Sequence, residues 1–199
     1  MFELISEMFS YAFMRRAFVV TTILSASVAP VGAFLVLRRL SLAGEAMAHA
    51  ITPGVVIGFV TAGLSVMSLL FGGLIAGLGV AVLTAYLARN TILRSDASLA
   101  SLYLIALAIG IFILSAAGSA VPLKSFLFGS ILGVDDASMI LVSGVATVTL
   151  VTFALILRPL IMSTCDPVFF ESQVKRPWIV DQGFMFLLVL NLLAAFKTL

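Results

Sequence analysis

Arg38-Arg39-Leu40-Ser41-Leu42-Ala43-Gly44-Glu45-Ala46-Met47-Ala48-His49-Ala50-Ile51-Thr52-Pro53-Gly54-Val55 places an acid, the only histidine of the chain and a proline in a segment otherwise apolar enough for lipid. Glu45 and His49 are four residues apart, about one turn of a helix with ~3.6 residues per turn, so on a helix their side chains leave the same face. Ionisable groups inside a bilayer are costly and as a rule face a cavity or a pathway. Pro53 has no N–H, which leaves the carbonyl of His49 without its helical donor and free to hold water or an ion. The small residues around the pair, Ala43, Gly44, Ala46, Ala48, Ala50, Gly54 and Gly58, suit a helix packed among other helices over about Ala43–Leu64.

Outward from this stretch the chain is a series of apolar runs. Ala17–Leu37 and Met67–Leu87 each hold 21 residues without a charge, against the roughly 20 that a spanning helix needs. Leu99–Ala117 and Ala137–Leu157 are further spans, with Ser95 or Asp96 as the cap of the first and Asp135 and Asp136 favouring the N-terminal dipole of the second. Gly118–Asp136 is a long break whose apolar piece, Ser125–Leu132, is too short to cross and fits an interfacial or re-entrant helix. Arg158–Asp181 is polar, and its Asp166-Pro167 step starts a short helix, with the acid as N-cap and proline in the first turn. Gly183–Phe196 is only 14 residues, about 21 Å of helix against a hydrocarbon core of about 30 Å, and is expected to stop short of a full span. Met1–Arg16 leaves two placements open, on the membrane surface or in solvent.

Composition agrees with a membrane protein. Of the 199 residues, 62% are hydrophobic and 10% charged, where a soluble domain carries about 25% charged residues. A net charge of +2 without a basic patch argues against a nucleic-acid partner, and the one cysteine, Cys165, excludes an intrachain disulfide. The apolar run from Ala17 is too long for a cleaved leader. The expected fold is all-α: a polytopic membrane bundle in one domain, 1–199, with five full spans, a short terminal hydrophobic segment and a short interfacial or re-entrant helix. An N-terminus outside the cell puts Arg38, Arg39, Arg89, Arg94, Arg158, Lys175 and Arg176 inside, against Arg15, Arg16, Lys124 and Lys197 outside, the orientation that the positive-inside rule favours.

At Leu37–Gly54 the chain resembles the permease subunits of bacterial zinc/manganese ABC importers. The shared pattern is a basic pair, a Ser-Leu step, glycine with an acid, three residues, His-Ala, and then Pro-Gly. Phe126-Leu127-Phe128-Gly129-Ser130-Ile131-Leu132 is similar to that family's Leu-Phe-Gly segment, and Asp166-Pro167-Val168-Phe169 to its Asp-Pro-x-Phe element. The chain departs from the pattern in carrying Glu45 where many members have aspartate, and Phe170 and Gln173 where they have small residues. Family members are also longer, so the chain is expected to be C-terminally truncated and, as it stands, not to transport.

The resemblance implies an inner-membrane permease, zinc first and manganese next among its substrates, with no permanently bound cofactor. It implies a homodimer in membrane lipid, a separate cytoplasmic ABC ATPase and an extracytoplasmic metal-binding receptor. Glu45 and His49 are then the transient metal ligands, one oxygen and one nitrogen, too few for a closed structural site. Asp166, Pro167, Val168, Phe169 and Phe170 become the element that couples to the ATPase. ATP hydrolysis belongs to the partner, since the chain has no phosphate-binding glycine loop. The competing readings are a buried hydrogen-bonded Glu45–His49 pair that only holds helices together, a truncated subunit that does not transport, and a membrane metalloenzyme. The last lacks a further histidine.

Overall fold

A computed structural model describes residues 11–40, 42–63, 65–92, 95–116 and 136–198. Met1–Ser10 and the Phe126–Leu132 segment lie outside the described residues. The all-α expectation holds. In chain order the helices are α1 (Ala12–Leu37), α2 (Ala43–Ala62), α3 (Val66–Asn90), α4 (Ser95–Ala116), α5 (Asp136–Cys165), α6 (Pro167–Gln173) and α7 (Trp178–Thr198). All but α6 are long and apolar enough to cross a membrane.

The final segment corrects the sequence-based expectation of a stub. Its apolar stretch runs from Trp178 to Phe196, 19 residues, so the described residues hold six candidate spans. The helix continues through Asp181 because that carboxylate is neutralised locally: Arg38 donates to it from 2.7 Å. An acid that ends an apolar run in the sequence is thereby carried at the end of a spanning helix.

α2 is the centre of the bundle. Of its apolar stretch 56% is buried, against 22–28% in α1, α3, α4 and α5. Glycine explains how it packs so closely. A Cβ at Gly54 would fall on the carbonyl of Gly72 and within 2.6 Å of the Cβ of Ala76, and one at Gly58 would lie 2.5 Å from the carbonyl of Ser68. The α2 and α3 backbones therefore touch, the small-residue contact that drives helix association where lipid leaves no hydrophobic force between helices. On the other side, Gly110 of α4 sits against Pro53, whose nitrogen would be 3.1 Å from a Cβ at that position.

α1, α5 and α7 join differently. Ser27 of α1 donates to Asn191 Oδ1 of α7 at 2.8 Å, and Asn191 Nδ2 donates to Thr149 Oγ1 of α5 at 2.8 Å. All three side chains are buried. α7 then lies on α3, with Leu193 at Gly73 and Val189 at Gly77.

The two ends of the bundle are distinct. At one, Arg16 at the start of α1 pairs with Asp136 at the start of α5 across 2.9 Å. At the other, α1 turns into α2. Arg39 takes a left-handed conformation with φ 58°, Leu40 N–H donates to Leu35 O, and Arg39 N–H donates to Val36 O. These are the paired bonds of a Schellman cap, with a non-glycine residue in the left-handed position. The turn aims Arg38 back across the bundle, where it donates to Thr164 at 3.2 Å, to Ser163 and to Asp181, and lies over the ring of Phe184 at 5.3 Å. An open cleft of about 720 Å³ at this end is bordered by Arg38, Arg39, Arg89, Phe170 and Trp178. The ends of α1, α3 and α5 and the starts of α6 and α7 thus share one face, as the grouping of basic residues expects.

Candidate functional site

Glu45 and His49 lie in the first two turns of α2, close to the Arg38 turn rather than in mid-span. Glu45 is exposed and His49 is half-buried. An acid in the first turn is favoured by the helix dipole. The buried positions of α2, among them Met47, Ala50, Ile51 and Val56, face its neighbours. Leu42 and Glu45 are exposed at the start of α2 and Ile57 and Val60 towards its end, whereas Thr52, Pro53 and Val56 between them are buried and His49 is half-buried.

The His49 ring stacks on Tyr103 of α4, with 6.0 Å between centroids and 27° between planes. The contact fixes the ring against an aromatic face. Neither Glu45 nor His49 makes a hydrogen bond or an ion pair among the described residues, in contrast to the buried hydrogen-bonded pair of the packing alternative. No group of three or more His, Cys, Asp or Glu side chains that could hold a metal is present among the described residues. On α2 one chain therefore brings an oxygen and a nitrogen to a common face, four residues apart.

The second sequence landmark is α6. Asp166 accepts from the Phe169 backbone N–H at 2.9 Å and Pro167 opens the first turn, so the helix is capped as the sequence predicts. Phe170 is buried and anchors α6 on the bundle, while Val168 and Phe169 stay exposed, at 80% and 50% of their surface. The five residues divide into a cap, a start, an anchor and two apolar side chains facing outward.

The family model of the ABC 3 transport family matches residues 10–199. The chain belongs to the ABC 3 transport family. It is 31% identical over 196 residues to the manganese import system permease protein ScaB of Streptococcus parasanguinis, covering 98% of this chain and 69% of that one. It is 29% identical to the manganese transport system membrane protein MntC of Halalkalibacterium halodurans, over 96% of this chain and 65% of the relative. The chelated iron transport system membrane protein YfeD of Yersinia pestis is 30% identical over 84% of this chain and 55% of its own length. Among solved structures, PsaBC from Streptococcus pneumoniae in complex with Fab superposes with a TM-score of 0.80 at 28% identity, over 98% of this chain and 69% of that one. The chain spans about two thirds of the length of these manganese relatives.

As a member of the ABC 3 transport family the chain is a multi-pass plasma-membrane subunit of a metal importer of the ABC type, and a transporter subunit rather than an enzyme. Two side chains that complete this region were missed in the sequence. Tyr103 holds the His49 ring, and the sequence clue to it is the Tyr103, Ala106, Gly110 stripe at helical spacing. Arg38 was legible as a marker of the membrane face, but its role as a clamp between α1, α5 and α7 depends on partners more than 120 residues away.

Proposed function

We propose that the chain forms the membrane pathway of an ATP-driven importer of a divalent transition metal, manganese ahead of zinc, and that Glu45 and His49 are its transient ligands. The observation that carries this is the placement of the pair. Both groups lie in the first two turns of the most buried spanning helix, and neither has a hydrogen-bond or ion-pair partner among the described residues, while the His49 ring is held against Tyr103. Carboxylate oxygen and neutral imidazole nitrogen together suit Mn²⁺ or Zn²⁺. Two ligands from one chain hold an ion without the closed coordination that would trap it. The names of the curated relatives favour manganese, which moves it ahead of the zinc that the sequence resemblance put first.

The surfaces support a reading of the partners. A second copy of the chain covers the exposed start of α2 at Leu42 and Glu45 and brings further ligands to the ion. Val168 and Phe169 on α6 dock the cytoplasmic ATPase, with Asp166 and Phe170 fixing the short helix that carries them. A metal-binding receptor delivers the ion at the opposite end, beside Arg16 and Asp136. The N-terminus is then extracytoplasmic and the Arg38 end cytoplasmic.

Manganese uptake by cells whose own copy is replaced tests the reading. In a chain extended to the length of its relatives, Glu45→Ala and His49→Ala are each expected to abolish ATP-dependent uptake at unchanged membrane levels, and normal uptake by both would exclude the pair as ligands. Cys165 is exposed at the end of α5, so a membrane-impermeant maleimide should label it only after permeabilisation. Labelling in intact cells would invert the orientation.

A further inference from the structure

Thr52, Ser98 and Gln182 each hold a buried side-chain oxygen without a hydrogen-bond partner among the described residues, and of the three Thr52 is the one on α2 beside the proposed ligand pair. It follows His49 by three residues on α2 and is 1% exposed, yet its hydroxyl has no hydrogen-bond partner among the described residues. Other threonines of the spanning helices behave differently. Thr22, Thr61, Thr84, Thr147 and Thr164 each donate to the carbonyl four residues earlier on their own helix, the ordinary resting place of a threonine hydroxyl in a membrane helix. Thr52 makes no such bond, although its backbone is helical on both sides. Its methyl group faces Gly110, where a Cβ would stand 3.3 Å away, so the hydroxyl is the branch that helix packing leaves over.

The His49 carbonyl, one turn before Pro53, is a second oxygen deprived of its usual donor, because Pro53 has no N–H to give it. A hydroxyl and a carbonyl that could have met each other across the same turn remain apart. A buried polar group without a partner is destabilising, and such groups in a chain this apolar point to something that binds there.

We infer that the Thr52 hydroxyl and the His49 carbonyl form an oxygen station for a divalent cation, adjoining the Glu45–His49 pair on the side away from Glu45, and that this station biases the pathway toward manganese over zinc. It rests on the metal-import reading above and deepens it. Hydroxyl and carbonyl oxygens are hard ligands that suit Mn²⁺, which takes more oxygen ligands, whereas Zn²⁺ is satisfied by a tetrahedral set rich in nitrogen or sulfur. The ion meets two oxygens from one turn of α2 and then the imidazole and carboxylate of the turn before it. Gly110 keeps α4 from crowding the Thr52 side chain.

The test uses the full protein with its ATPase in lipid nanodiscs and measures binding of Mn²⁺ and of Zn²⁺ separately, by calorimetry and, for Mn²⁺, by electron paramagnetic resonance. Thr52→Val keeps the shape and removes the oxygen. It is expected to weaken Mn²⁺ binding by ~10-fold or more, the scale on which supporting groups around metal sites act, with Zn²⁺ affinity changed by less than about threefold. Thr52→Ser restores the oxygen and should return Mn²⁺ binding to within about threefold of the native protein. An unchanged Mn²⁺ affinity in Thr52→Val, or an equal loss for both metals that Thr52→Ser also shows, overturns the station. His49→Ala separates the two proposals. If it abolishes binding of both metals while Thr52→Val leaves the Mn²⁺/Zn²⁺ ratio intact, only the oxygen station falls. If His49→Ala binds both metals normally, the ligand pair itself falls, and the station with it.

Discussion

α2, α3 and α4 meet through residues that have almost no side chain, whereas α1, α5 and α7 meet through side chains that bond to one another. In the first group Gly54 lies on Gly72, Gly58 on Ser68 and Gly110 on Pro53. In the second, Ser27, Asn191 and Thr149 share buried hydrogen bonds, and Arg38 reaches Asp181, Ser163 and Thr164. Both are solutions to the same difficulty, since lipid supplies no hydrophobic force between helices. They differ in what they leave over. The hydrogen-bonded group joins its helices through Ser27, Asn191, Thr149 and Arg38. The close-packed group uses one, Ser68, which donates to the Gly58 carbonyl at 2.7 Å, and Glu45, the polar edge of His49 and the Thr52 hydroxyl remain available to a passing ion.

The contrast can be broken at Gly54. Gly54→Leu would drive a side chain into the α3 backbone, where only displacement of a helix relieves the clash. A loss of about 3 kcal/mol is expected, the upper part of the usual range for overpacking, measured as the denaturant needed to unfold the protein in detergent. A native unfolding midpoint would show that the contact between α2 and α3 is looser than the structure has it.

Arg38→Ala should cost less, about 2 kcal/mol, because Asp181 keeps 45% of its side chain in contact with solvent and is not left fully buried and unpaired. Its particular consequence is local: the first turns of α7 should lose protection in hydrogen exchange while α2 keeps its own. Equal loss across both groups of helices would remove the distinction drawn between them.

Asn191→Ala gives the smallest effect, about 1 kcal/mol, since hydrogen bonds between membrane helices are individually weak. Paired with Ser27→Ala in a double-mutant cycle, it should show coupling, because the two side chains bond directly at 2.8 Å. Strict additivity would mean that the network contributes nothing as a unit.

Much of the architecture was legible in the sequence. Uncharged runs of helical length located α1, α3, α4 and α5, and the density of Gly and Ala in Ala43–Gly58 marked α2 as the most enclosed helix. Asp166-Pro167 announced its own cap because capping is local. The start of α7 was not legible, since Asp181 ends an apolar count and only Arg38, distant in sequence, neutralises it. Ser27, Thr149 and Asn191 were silent for a related reason: single small polar residues in apolar runs carry no sign of whether they meet each other. The Glu45–His49 pair stood out by type and spacing, but the Tyr103 stack and the idle Thr52 hydroxyl depend on where α4 lies.

The central claim, that His49 and Glu45 take hold of the transported ion, is tested most directly by spectroscopy of Mn²⁺ bound to the full protein with its partners. Pulsed electron paramagnetic resonance should show nitrogen hyperfine coupling from one imidazole in the native protein. The coupling should vanish in His49→Ala and persist, with weaker binding, in Glu45→Ala. Bound Mn²⁺ whose nitrogen coupling is the same with and without the His49 imidazole would contradict the claim.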